Sequence, residues 1–158
     1  MHDEPREWVR GQFVISTDRD RLDLDAVHDY ISTSYWAAGM PRDVLERAVE
    51  NSLIFGIYDG PRQAGFARAI TDRATYAYLS DVFVVEEYRG RGLSKWLMEA
   101  VQAHPELQGL RRFTLATRDA HGLYEQFGFK PLARPATFME IVRPDLYKTL
   151  RAESEEPT

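Results

Sequence analysis

Residues 74–103 read ATYAYLSDVFVVEEYRGRGLSKWLMEAVQA, and the change of period inside that stretch decides the fold. From Ala74 to Val85 the chain is rich in β-branched and aromatic residues and long enough for a central strand. From Gly90 to Ala103 the pattern turns helical: Leu93, Trp96, Leu97, Ala100 and Val101 share one face, and His104-Pro105 ends the run. Between strand and helix lies a turn made of Arg89, Gly90, Arg91, Gly92, Leu93 and Ser94. A helix start leaves amides unpaired at the positive end of a dipole, and glycines let an anion approach the backbone closely. Arg89, Arg91 and Lys95 add cations, so a pyrophosphate fits the turn; solvated basic residues on a glycine-softened turn are the alternative reading. The spacing matches neither GxGxxG nor GxxxxGK[ST], which sets the two best-known nucleotide fingerprints aside.

Working outward toward the N-terminus, Trp8, Phe13, Val14 and Ile15 suggest one edge strand, and a helix is expected from about Asp23 to Thr33. A second helix begins with Pro41 and gives way near Asn51-Ser52. Leu53–Tyr58 and Gln63–Thr71, joined by Asp59-Gly60-Pro61-Arg62, read as a hairpin. Toward the C-terminus, Arg112–Ala116 reads as a strand, and Asp119 is placed to cap a short helix reaching Phe127. Phe129–Leu132 and Thr137–Val142 read as closing strands. The order predicts an α/β (α+β) domain with a mixed, mostly antiparallel sheet and helices on both faces. One domain is expected over residues 1–150, followed by a flexible, charged tail at 151–158.

Composition narrows the function. With 158 residues there is room for one core, and 44% hydrophobic residues can fill it. A formal charge of −5 speaks against binding a nucleic-acid backbone. The absence of cysteine excludes thiolate chemistry and disulfides. No signal peptide or membrane-crossing apolar run is visible, so a cytoplasmic protein without membrane attachment is expected. His2, His28, His104 and His121 lack metal-site spacing, and no metal is expected.

The turn at Arg89, Gly92 and Ser94 resembles the acyl-CoA signature [Q/R]-x-x-G-x-[G/A] of the GNAT acetyltransferase superfamily, with Ser in the last place. Ala120-His121-Gly122-Leu123-Tyr124-Glu125-Gln126-Phe127-Gly128-Phe129 is similar to the family's second element, A-x-x-L-Y-x-x-x-G-F. The resemblance implies direct transfer of an acetyl group from acetyl-CoA to a primary amine of a small molecule or peptide. It assigns Val82, Phe83 and Val84 to the strand that pairs with the pantetheine arm, and residues Arg89 to Lys95 to the phosphates. The family's frequent Asn seven residues before the Tyr is Thr117 here. Tyr124 becomes the general acid for the leaving thiolate, with a hydrogen-bonded core tyrosine as the alternative. A backbone amide at Val84 is the expected oxyanion donor.

Just before Val82-Phe83-Val84, related enzymes often place an acidic residue near the acceptor amine, so the resemblance makes Asp81 the candidate to bind the amine or to act as a base through water, with a paired strand residue as the alternative; Glu86, Glu87 and His121 are further candidates. The family's acceptor-side wall usually comes from the first helices and their loop, so the resemblance implies that Tyr35 and Trp36 wall the acceptor pocket; anchoring their loop to the core is the alternative. Phe138, Met139 and Ile141 could serve a homodimer contact or fill the core. A non-catalytic acyl-CoA-binding regulatory module is the competing function.

Overall fold

The computed structural model describes residues 4–155. Its sheet has six strands in the order β1 (Glu7–Arg10), β2 (Phe13–Ser16), β3 (Leu53–Asp59), β4 (Arg62–Thr71), β5 (Tyr76–Val84) and β6 (Arg112–Leu115). Successive strands pair antiparallel up to β5, and β6 lies parallel to it. Helices α1 (Leu24–Ser32) and α2 (Arg42–Glu50) precede β3, whereas α3 (Leu93–Ala103) crosses between the parallel pair. After β6 come α4 (His121–Glu125) and α5 (Leu146–Glu155).

The strand period of two divides the core into two layers. Leu53, Phe55 and Ile57 of β3 meet the α3 face formed by Leu93, Trp96, Leu97, Ala100 and Val101. Ile54, pointing the other way, joins Val27, Ile31, Leu45 and Val49 of α1 and α2. Phe55 and Phe66 are fully buried on opposite faces, and removing either ring would cost about 3–5 kcal/mol. Asp23 caps α1 by accepting from the Ala26 amide at 3.1 Å, as its residue type predicts.

Several expected elements differ. The single N-terminal strand is a hairpin, because Gly11 at φ 58° turns the chain between β1 and β2. Asp119 does not cap α4; Thr117 Oγ1 accepts from the Ala120 amide instead, at 3.0 Å. The closing strands at 129–132 and 137–142 do not form. Pro131 lacks an amide, Pro135–Thr137 forms a turn of 3₁₀ helix, and a groove of about 440 Å³ separates residues 130–138 from β6. The expected boundary at Leu150 falls inside α5, which runs to Glu155, and Tyr147 packs against the α1–α2 layer. His2 and residues 156–158 of the expected tail lie outside the described residues. Among the described residues no helix is long and apolar enough to cross a membrane, and no group of three or more His, Asp or Glu is placed to hold a metal ion.

Candidate active site

A break in the regularity of β5 creates the site. In an unbroken strand, residues 77, 79, 81 and 83 would share a face. Ala77 and Leu79 do face the α3 layer, but Phe83 lies in the α1–α2 layer and Val84 returns to the α3 side. The switch occurs where the β4–β5 register shifts, between the Phe66–Phe83 and Arg68–Ser80 pairs. There Asp81 adopts φ 54°, a left-handed conformation uncommon for a residue with a side chain. Pairing of β5 with β6 ends just before the bulge, at Leu79–Leu115, so the two strands separate. Between them opens a cleft of about 940 Å³.

One end of the cleft is backbone. The Val85 amide donates to Ala64 O at 2.8 Å across the β4–β5 ladder. By the alternation of an antiparallel ladder, the neighbouring Val84 turns its amide and carbonyl toward the opposite, open edge. Arg89 Nε donates to that Val84 carbonyl at 3.0 Å, and Arg89 Nη2 donates to the Tyr30 hydroxyl at 2.6 Å. Just beyond, Gly90 and Gly92 have φ 81° and 74°, and a Cβ on either would meet no atom within 4 Å. Gly92 caps α3 without a side-chain hydrogen bond, and the first intrahelical amide is that of Trp96, bonded to Gly92 O at 3.1 Å. The amides of Leu93, Ser94 and Lys95 therefore precede the helical ladder and form its positive end.

The other end is built from side chains. Asp81 is 6% exposed, and both of its oxygens are engaged: Oδ2 accepts from Arg68 Nε at 2.6 Å and Oδ1 from Trp36 Nε1 at 2.7 Å. Arg68 is itself buried in β4 and also donates to Ser52 Oγ at 3.2 Å. Tyr35, next to Trp36 in the α1–α2 loop, lies under the Arg118 guanidinium with 3.7 Å to the ring centroid. Tyr124 sits between strand and loop, 8% exposed, with its ring edge-on to Phe129. Burial raises the Tyr124 hydroxyl above its ordinary value, and Tyr35 raises it further. Burial likewise raises Tyr78, with Asp81 adding to the effect.

Of the residues singled out in the sequence, Tyr35, Trp36, Asp81, Val82, Phe83, Val84, Glu86, Arg89, Ser94, Thr117 and Tyr124 line this one cleft. Gly90, Arg91, Gly92 and Lys95 are exposed around the α3 start, and Arg91 stacks over Tyr88 at 5.6 Å. The Leu93 side chain points into the core, leaving only its backbone for the site. Glu87 pairs with Arg62 outside the cleft, and His121 borders a separate hollow behind β6. Asp81, expected as amine binder or base, lines the cleft with each of its oxygens accepting one hydrogen bond, from Arg68 and from Trp36. Arg68, Tyr30, Tyr78 and Arg118 were not anticipated. A signal existed for Arg68, since an arginine amid the apolar run AGFARAI of a central strand demands a buried partner.

An acetyltransferase (GNAT) domain model matches residues 50–131. A Gibberella zeae protein named for a proposed acetyltransferase activity is 34% identical over 145 residues, which span 77% of this chain and 80% of that one. A crystal structure of a GNAT-family protein from Xanthomonas campestris pv. campestris superposes at TM-score 0.84 with 52% identity, over 85% of this chain and 96% of the other. A structure from Deinococcus radiodurans R1 is similar at TM-score 0.67 over 85% and 90% of the two chains; at 20% identity that likeness bears on the fold alone.

Proposed function

Because the chain belongs to the GNAT acetyltransferase family, we propose that it transfers an acetyl group from acetyl-CoA directly to a primary amine of a small molecule or peptide. The observation that carries this reading is the cleft itself, which joins the unpaired start of α3 to the Tyr124 hydroxyl through the open edge of β5. The residues present fit the cosubstrate: a side chain at Gly90 or Gly92 would occupy the space that their left-handed backbone leaves clear.

Acetyl-CoA supplies an acetyl group activated as a thioester. The amides of Leu93, Ser94 and Lys95 bind phosphate oxygens, with Arg91 and Lys95 adding charge at the rim. The free edge of β5 at Val82–Val84 pairs with an amide-bearing arm as an added strand would. Val84 N–H faces that edge and donates to the carbonyl oxygen on which negative charge grows. Tyr124, kept protonated by burial, gives its proton to the departing sulfur. With Asp81 paired to Arg68, the ammonium loses one proton to water in the open cleft; the free amine forms its bond to the acetyl carbon as the carbon–sulfur bond breaks, and the second proton shed by the nitrogen returns through water to Tyr124, with no covalent enzyme adduct.

Assembly as a homodimer belongs to the same proposal. Met139, Ile141 and Val142 are 96%, 86% and 64% exposed, and β6 ends the sheet with a bare edge. Sedimentation of the wild type and of Ile141→Lys reads this directly. The cytoplasm is the proposed setting.

Titration of acetyl-CoA against thermal stability tests the reading. A hundredfold excess over Kd adds about 2.7 kcal/mol to a binding-competent fold. We expect a saturable shift that Gly92→Glu, checked for folding by circular dichroism, abolishes. Free-thiol release with amines then separates transfer from mere binding; a shift with no release across a broad amine panel would instead support the regulatory module.

A further inference from the structure

The acceptor end of the cleft narrows the substrate class, an inference that rests on the acetyl-transfer reading above. Three observations bear on it. First, the acceptor end carries little free negative charge: the buried Asp81 is paired with Arg68, and the exposed Asp119 has the Arg118 guanidinium 3.9 Å away. Glu86 lines the opposite end, beside Arg89. A polycation such as a polyamine or a lysine-rich peptide needs several uncompensated carboxylates to replace its hydration, and it would also meet Arg118 at the lip. Second, the wall is aromatic. Tyr35 and Trp36 are 53% and 40% exposed, and Tyr78 and Tyr124 line the same cleft. Their rings meet edge to face, Tyr35 on Trp36 at 5.2 Å and 82°. Third, the Trp36 ring is held at a defined angle. Its Nε1–H donates to Asp81 Oδ1 at 2.7 Å, and Asp81 is fixed in turn by Arg68 and by its own place in the β5 bulge.

An indole whose polar edge is satisfied, and whose ring is partly covered by Tyr35 and Tyr30, offers the cleft the rest of its apolar ring surface, which suits a flat apolar group or a single cation. We infer that the acceptor is a monoamine carried on a flat apolar body that stacks on Trp36. Trp36 is the specificity-determining residue, and Asp81 and Arg68 are positioning residues that act through it. The bulge that opens the cleft thus also aims the acceptor ring, since Asp81 serves both.

The experiment uses the full chain with acetyl-CoA and follows free-thiol release with 2-phenylethylamine, spermidine and a lysine-rich peptide. Expected is a kcat/KM at least about tenfold higher for 2-phenylethylamine than for either polycation. Trp36→Leu should raise KM for 2-phenylethylamine about tenfold with little change in kcat, and Trp36→Phe, which keeps a ring, should recover part of it. Asp81→Asn, made together with Arg68→Met so that no buried charge is left unpaired, retains an acceptor for Trp36 Nε1. It should lower kcat less than about tenfold and leave the acid limb of the pH profile in place, where loss of a general base would cost about 10²–10⁴-fold. Equal or better turnover of spermidine or the peptide overturns the inference, as does a Trp36→Leu enzyme with unchanged KM, or no turnover of 2-phenylethylamine at all. The acetyl-CoA thermal shift, measured on the same samples, separates these failures from failure of the cosubstrate site.

Discussion

The two ends of the cleft are made from different materials. At the α3 end the proposed binding groups are backbone amides beside Gly90 and Gly92, and the nearby Arg91 and Lys95 side chains reach into solvent. At the Asp81 end the working groups are side chains, fixed by a buried ion pair and a tryptophan hydrogen bond. Backbone geometry survives most side-chain changes, whereas a buried charge pair fails when one partner is removed. The first end is therefore robust and chemically uniform, and the second is brittle and able to discriminate.

Tyr124, which lies between the two ends, gives the largest expected effect. Tyr124→Phe keeps the ring packed on Phe129 but removes the transferable proton, so kcat should fall about 10²–10⁴-fold while acetyl-CoA affinity stays level. Equal losses in kcat and affinity would show that the hydroxyl serves to hold the cosubstrate and is not the proton donor to the departing sulfur. Next comes the brittle end. Arg68→Met leaves the Asp81 carboxylate buried and unpaired, at a cost of about 3–5 kcal/mol in urea unfolding, and adding Asp81→Asn should restore much of it. Lys95→Ala at the robust end should stay within about 0.5 kcal/mol. If the two single variants unfold alike, the contrast between the ends is lost.

A third variant joins the ends through the sheet. A Cβ on Gly65 would lie 2.8 Å from the Phe83 carbonyl and 2.8 Å from Ile57 Cδ1. Gly65→Ala must therefore move β5 or strain β3, costing about 1–3 kcal/mol. Because Phe83 lies in the cleft wall, the shift should also weaken acetyl-CoA binding, which calorimetry would measure. Lost stability with intact affinity would place the adjustment in Ile57 and leave the wall rigid.

Legibility in the sequence follows the same division. The strand-to-helix change at 74–103 and the helical face of α3 were readable because they depend on local period, and the α3 turn because its glycines and amides are contiguous. The Asp81–Arg68–Trp36 assembly joins residues up to 45 positions apart, which no local pattern encodes, and the sign of its net charge depends on that pairing. Strand propensity at 137–142 was also readable, but a strand exists only with a partner, and the prolines and the groove keep this segment from β6. His121 carried a helical position in the sequence but not the direction of its ring, which only packing settles.

The smallest expected effect tests whether the pH response of folding belongs to the cleft at all. His104 lies away from it, where the α3 terminus meets the sheet; it is 4% exposed, edge-on to Phe55, and Nδ1 accepts from the Glu106 amide at 3.1 Å. Burial lowers its pKa, partly offset by Glu106, and the accepting Nδ1 requires the unprotonated nitrogen. The unfolded chain, with an ordinary histidine value of about 6.5, then binds a proton that the folded chain refuses. Stability from this group is complete above that value and declines as pH falls through it toward the folded value, where the decline stops. Urea midpoints at pH 7.5 and 5.5 should differ for the wild type and converge in His104→Asn, which can still cap but cannot titrate. A variant that keeps the full difference would move the acid response to carboxylates, and Asp72, held well below the usual carboxylate range by hydrogen bonds from the Thr75 hydroxyl and the Thr75, Ala74 and Tyr76 amides, would be the next to replace.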